Sequence, residues 1–309
     1  MSSSKCAPVI AVDVGGTFLK GAIVEGASIT SSERWSTGRE HGSDQALEGV
    51  IAFGRKLAKE NPQAKALGIV VPGLVDEVRG ISIFAENVGW RDVPFRQLLE
   101  DATGLPVGFG HDVRAGGLAE KEFGAGVDVE NFLFLPIGTG ISGAIFVNGE
   151  IVTDSLAGEL GHIEIGSGEK CTCGGANCLE TVATGASIAR RYTERTGNHV
   201  EGAAQVLDLV KAGDPQAISI WDEALEGLAR VLTMYISILP SELIIIGGGV
   251  SMSGEELLGP LREKINGRSL WQRKPKLSVS HFGDNSAVIG AAILARRVLE
   301  GSESIGSQR

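Results

Sequence analysis

The residues best suited to chemistry crowd into one short stretch. GHIEIGSGEKCTCGGANCLE, residues 161–180, carries three of the chain's four cysteines and one of its five histidines. The pattern H-x8-C-x-C-x4-C supplies four donors, His162, Cys171, Cys173 and Cys178, the number a tetrahedral zinc ion takes. The short C-x-C step and the surrounding glycines let one tight loop turn several donors on a single ion. Four protein ligands leave no position for a reacting water, so the expected metal is structural. The alternative is a small buried thiol cluster beside a His that caps a turn. A disulfide framework fits poorly, because Cys6 stands far from the other three.

Three glycine-rich turns suggest a different ligand. In DVGGT, Asp13 to Thr17, a strand ends in Gly15, Gly16 and Thr17, exposing backbone N–H groups and a hydroxyl in a geometry suited to a phosphoryl group. Asp13 beside them can hold a hydrated Mg²⁺. Gly-Gly also serves ordinary hairpins. GTG, which is Gly138, Thr139 and Gly140, sits at the corresponding turn of a second copy of the same plan. In IIIGGGVSMSGEEL, Gly247, Gly248 and Gly249 follow a buried strand and precede a helix beginning near Gly254. They let a flat or anionic group approach the backbone, as a nucleotide requires, or else they make a sharp corner. The spacing is neither a P-loop nor a G-x-G-x-x-G fingerprint.

In GFGHDVRAGGLAE, Asp112 falls where a strand gives way to an Ala- and Gly-rich helix. There a carboxylate can accept the proton of a hydroxyl that attacks a phosphoryl group. It can also be only a helix N-cap, the reading that these residues by themselves favour.

Two segments must position these groups. VIAVDVGGTFLKGAIVEGASI and FLFLPIGTGISGAIFVNGEIV each read as a hairpin with a Gly-Thr turn, so the chain contains one plan twice. Apolar strands in ALGIVVPG and ELIIIGGG alternate with helical patterns over Ala46 to Lys59 and Ala217 to Leu239, which predicts an α/β fold. The duplication predicts two related domains with a cleft between them. The expected bounds are 1–113 and 114–290, with a boundary near Asp112 to Ala115. Residues 291–309 are expected to form a C-terminal helix and tail packing back on the first domain, and both chain ends are expected to fray.

Composition narrows the setting. The chain has 309 residues, 43% of them apolar, enough for a sizeable core. With 38 acidic against 28 basic residues its net charge is −10, which disfavours nonspecific attraction to nucleic acid or an anionic membrane. No apolar run of about 20 residues and no cleavable signal is visible, so the expected compartment is the cytoplasm, with reduced thiols.

DVGGT, GTG, GELGH, CTCGGANCLE and LIIIGGGV, in that order and spanning most of the chain, resemble the ROK family of bacterial sugar kinases and repressors. The GH…CxCG…CLE segment is the most specific mark. The resemblance implies an actin-like, ribonuclease-H-like ATPase fold, ATP with Mg²⁺ as phosphoryl donor, a structural Zn²⁺, and a homodimer or homotetramer. It implies that Asp112 is the general base for a hexose 6-hydroxyl. Sugar-binding positions would be Gly73, Asn87 in ENVGW, His111, Glu159 in GELGH, His162, and Glu180 in CLE. Nucleotide and Mg²⁺ would be held by Asp13, Gly15, Gly16, Thr17, Lys20, Gly138, Thr139, Gly140, Gly247, Gly248 and Gly249. The metal would brace the loop between Glu159 and Glu180 and aim both carboxylates at one sugar, with His162 joining the two.

The chain departs from the family at one place. Asn usually precedes the catalytic Asp, whereas His111 stands there, and Arg114 follows. His111 either donates to the same hydroxyl or turns away and leaves a roomier pocket. The expected activity is ATP-dependent phosphorylation of a hexose at its 6-hydroxyl. Glucose is the first candidate, N-acetylmannosamine and N-acetylglucosamine are close competitors, and fructose is less favoured. A sugar-responsive repressor is disfavoured, because only 12 residues precede Asp13 and the chain is acidic. A silent sugar sensor would not require Asp13, Asp112 and both phosphate turns.

Overall fold

A computed structural model describes residues 7–86, 88–166, 169–269 and 271–301. Contacts divide the chain into two units. One comprises the chain through Phe123, Thr153–Leu156 and the segment from Asn285 onward; the other comprises Gly124–Val152 and Ala157–Asp284.

In the first unit, β1 (Val9–Val14) is almost wholly buried, as its continuous apolar run requires. β2 (Phe18–Glu25) folds back antiparallel on it, and β3 (Ser28–Ser36), exposed along most of its length, forms the edge. In α1 (Ser43–Glu60), Ala46, Val50, Phe53, Gly54 and Leu57 recur at helical spacing and face the core. β4 (Leu67–Val71) then joins β1 in parallel. A separate antiparallel sheet follows, formed by β5 (Leu74–Asp76), β6 (Ile81–Ala85) and β7 (Trp90–Val93). After α2 (Phe95–Thr103), β8 (Val107–His111) pairs in parallel with β4 and runs directly into α3 (Asp112–Phe123).

The second unit repeats the main sheet. Its strands are β9 (Phe132–Pro136), β10 (Ala144–Val147) and β11 (Glu150–Ile151). Helices α4 (Glu180–Ala183), α5 (Gly185–Thr196), α6 (Ala203–Lys211) and α7 (Pro215–Ile238) precede β12 (Leu243–Gly247). α8 (Glu255–Arg268) and β13 (Lys276–Val279) complete it. The strand orders are β3-β2-β1-β4-β8 and β11-β10-β9-β12-β13, with the same pattern of antiparallel hairpin and parallel crossovers. The twin hairpins of the sequence are thus β1–β2 and β9–β10. Each unit has its own apolar core.

The last helix, α9 (Ser286–Leu299), belongs to the first unit, where it packs on α3, β1, β4 and β8. That packing moves the boundaries away from 113/114 and 290/291. α3 buries Ala115, Gly116, Gly117, Leu118 and Ala119, so the units part after Phe123 and not within this helix. The second unit ends at Asp284, before α9 begins.

The approach of α9 is close enough to exclude a side chain. A Cβ built on Gly68 of β4 would lie 1.8 Å from the Ala291 carbonyl oxygen. Gly68→Ala is therefore expected to destabilise the fold by about 3 kcal/mol, as overpacking of a core does. The check is the urea midpoint; an unchanged midpoint would show that α9 can shift without penalty. Among the described residues, no helix is long and apolar enough to cross a membrane.

Candidate active site and metal centre

The first glycine turn joins β1 to β2. Gly15 N–H donates to the Phe18 carbonyl at 2.9 Å, while Thr37 Oγ1 donates to the Gly15 carbonyl and Thr37 N–H to the Thr17 carbonyl, both at 2.9 Å. The end of β3 thus pins the turn from behind and leaves Thr17 exposed. Asp13 stands opposite Lys20 across the hairpin, and Lys20 Nζ donates to Asn285 Oδ1.

Burial pushes the Asp13 carboxyl up to about 6, against the pull of Lys20 and Arg34. A carboxylate whose charge the protein opposes is one that a divalent cation relieves, which suits Mg²⁺. The shift has a consequence for stability. Between about pH 4 and pH 6 the unfolded chain releases a proton that the folded chain keeps, so stability falls as pH rises through that window and stays lower above it. Asp13→Asn removes this penalty. With allowance for its partial exposure, the variant is expected to gain about 1–2 kcal/mol at pH 8 and nothing at pH 4. Urea midpoints at the two pH values check this; a loss at pH 8 would contradict it.

The second corner lies at the junction of β8 and α3. Asp112 Oδ1 accepts Val113 N–H at 2.7 Å, so the carboxylate is tied to the helix N-terminus, where the dipole favours its charge. Its side chain nevertheless stays 29% exposed. Both readings of Asp112 are compatible with this geometry. The ring of His111 is buried, with Nδ1 3.4 Å from Asp112 Oδ1. Burial, and after it the charge of Arg114, push His111 down to about 3, so it is neutral at physiological pH. Gly73 follows β4 at φ +87, where a Cβ would strike the Phe84 carbonyl oxygen at 2.3 Å. Asn87 lies outside the described residues.

In the second unit, the turn after β9 closes when Gly138 N–H donates to the Gly140 carbonyl at 3.0 Å. Three of the candidate sugar ligands gather around it. Glu180, the first residue of α4, accepts Ile141 N–H through Oε1 at 2.6 Å. Glu159 Oε1 accepts from Ser142 Oγ at 3.3 Å, and its Oε2 lies 3.9 Å from His162 Nε2. The third glycine turn abuts the second: Ile137 N–H donates to the Gly247 carbonyl at 2.9 Å, and Gly248 sits at φ +71 with no room for a Cβ beside Ile137. Gly249 opens a short 3-10 turn, after which α8 begins at Glu255.

Beside Glu159, through His162, stands the candidate metal-ligand set. The donor atoms of His162, Cys171, Cys173 and Cys178 all lie within 4.8 Å of one another. His162 Nδ1 is 3.6 Å from Cys171 Sγ, and Cys173 Sγ is 3.7 Å from Cys178 Sγ. At ordinary Zn–N and Zn–S lengths, neighbouring corners of a tetrahedral site stand ~3.6–3.8 Å apart, so the four residues fit a zinc ion. Desolvation and the neighbouring Cys173 and Cys171 thiols push the Cys178 thiol up to about 12. A cation among the four donors would offset that cost at Cys178. The loop is laced at its ends, where Leu179 N–H donates to the Ile163 carbonyl at 3.1 Å and Ile165 N–H to the Asn177 carbonyl at 2.9 Å. Glu159 and His162 flank one end and Glu180 the other.

Three residues at these corners escaped the sequence reading. Ser142 lies two positions beyond the GTG turn, a proximity that could have drawn attention to it. Asn285 meets Lys20 from 265 residues away, and Glu77 meets Arg114 from 37 away, separations that carry no local signal.

The ROK family profile matches residues 9–298. The glucokinase of Halalkalibacterium halodurans is 31% identical over 93% of this chain and 94% of its own. That of Thermotoga maritima is 34% identical over 83% of this chain and 86% of its own. The crystal structure of a ROK family glucokinase from Streptomyces griseus, in complex with glucose and AMPPNP, superposes with a TM-score of 0.80 at 28% identity, covering 94% of this chain and 99% of that one. The duplicated five-stranded sheets are those of the actin-like ATPase fold. On this match across nearly its whole length, the chain belongs to the ROK family.

Proposed function

We propose that the chain is an ATP-dependent hexose kinase that phosphorylates the 6-hydroxyl of glucose. The observation that carries this reading is Asp112. Its carboxylate is anchored to a helix N-terminus through one oxygen and remains partly exposed at the mouth of a strand–helix corner.

Phosphoryl transfer needs positioning and charge stabilisation more than covalent chemistry. Asp112 accepts the proton of the 6-hydroxyl as that oxygen bonds to the γ-phosphorus and the bond to the ADP oxygen breaks. Glu159, His162, Glu180, Gly73 and Asn87 hold the sugar. Carboxylates and amides bridge neighbouring pyranose hydroxyls, which would be costly to bury unpaired. His111 adds only the small edge that its burial leaves accessible. Backbone N–H groups of Gly15, Gly16 and Thr17 and of Gly138, Thr139 and Gly140, with Lys20, receive the phosphates. Gly247, Gly248 and Gly249 admit the nucleotide. Asp13 orients Mg²⁺, which when bound neutralises charge on the phosphates. The zinc set braces the loop from His162 to Glu180 and leaves no ligand position for catalysis. A homodimer or homotetramer in the cytoplasm, where thiolates stay reduced, is the setting we assign.

The substrate is tested with a panel of glucose, mannose, fructose, N-acetylglucosamine and N-acetylmannosamine in an ADP-release assay. The highest kcat/KM is expected for glucose. A higher value for an N-acetylated sugar would reassign the substrate, and no turnover on any sugar would favour a sensor.

A further inference from the structure

Behind the corner that carries Asp112 lies a buried ion pair that no step of the proposed reaction uses. Glu77, immediately after β5, is 5% exposed, and Arg114, in the first turn of α3, is 3% exposed. Arg114 Nε donates to Glu77 Oε1 at 3.0 Å, and the same oxygen accepts His111 N–H at 3.1 Å. One carboxylate oxygen therefore ties the last residue of β8 to the first turn of α3, on either side of Asp112. The support is itself fixed. Arg96 of α2 donates through its two guanidinium Nη atoms to the Glu77 and Val78 carbonyls, both at 2.8 Å.

Stability alone does not explain this arrangement. Glu77 Oε2 and Arg114 Nη2 are buried and make no hydrogen bond among the described residues. Burial raises the Glu77 carboxyl against the pull of Arg114 and the His111 N–H. An ion pair desolvated and incompletely satisfied in this way is commonly matched or bettered by apolar residues of similar volume. Placement of the base is another matter, because a misplacement near 1 Å lowers a rate on the order of 100-fold.

We propose that Glu77 and Arg114 are positioning residues for the catalytic base: by holding His111 N–H and the start of α3 to one oxygen, they set where the Asp112 carboxylate stands. The inference rests on the kinase reading in which Asp112 is the base. It extends that reading to two buried residues that are given no role in holding sugar or nucleotide.

Two double variants test it, with wild type run beside them on glucose and ATP–Mg²⁺. E77L/R114M removes the charges and the acceptor; it is expected to keep or raise its thermal midpoint. Its kcat is expected to fall on the order of 10- to 100-fold, with KM for sugar and ATP changed by less than about twofold. E77Q/R114M removes both charges and the Arg114 tie to α3 but keeps an acceptor for His111 N–H, and is expected to recover part of the lost kcat, falling between E77L/R114M and wild type. Wild-type kcat in E77L/R114M, or equal loss in both doubles, overturns the proposal. If E77L/R114M does not fold, hydrogen exchange at the His111 amide of the wild type decides. Protection like that of β4 supports the positioning role, and exchange at the rate of an exposed loop overturns it. A wild type with no sugar-dependent turnover overturns the kinase reading itself, whereas an active wild type with unaffected doubles overturns only this inference.

Discussion

Asp112→Ala is expected to fold and to lose about 1,000-fold in kcat, within the range a general base contributes. The variant also loses the hydrogen bond from Val113 N–H, but a helix cap is worth only about 1 kcal/mol. Asp112→Asn separates the two roles. Its amide oxygen still accepts Val113 N–H, so the helix end is kept, yet it cannot take a proton from the 6-hydroxyl near neutral pH. The same loss of kcat in both variants, with thermal midpoints close to wild type, identifies proton acceptance as the missing function. An Asn variant within tenfold of wild type would leave Asp112 as a cap alone.

Removal of the metal should have the second large effect. The purified chain is expected to carry one zinc, and chelation or Cys178→Ser should lower the thermal midpoint and raise the sugar KM by about 10- to 100-fold. The reason is geometric. The four donors lie between Glu159 and Glu180 along the chain, and His162 meets Cys171 through Nδ1 while its Nε2 faces Glu159. Slackening the loop therefore disturbs three candidate sugar ligands together. A zinc-free protein with unchanged sugar KM would uncouple the loop from the substrate.

The parts of the structure written in local sequence were legible. β1–β2 and β9–β10 announced themselves through apolar runs and Gly-Thr turns, and α1 and α7 through helical periodicity, because each pattern is complete within a few residues. The cluster of His162, Cys171, Cys173 and Cys178 was legible for the same reason, its four members lying within one short stretch of chain. Other features depend on distant partners. The unit boundary at Phe123 is hidden because α3 is held by small residues packed closely on α9, which leaves no apolar stripe to read. β5, β6 and β7 are short and unevenly buried, so period-2 alternation barely develops. Arg114 stood out in the sequence only as a departure from its family. Its burial against Glu77 reverses the ordinary expectation that charged side chains face water.

The function itself is tested most directly by phosphorus NMR of the products formed from glucose and ATP–Mg²⁺ by the purified chain. Glucose 6-phosphate with an equal amount of ADP is the expected result. Sugar-independent loss of ATP, or phosphate on another hydroxyl, would contradict it.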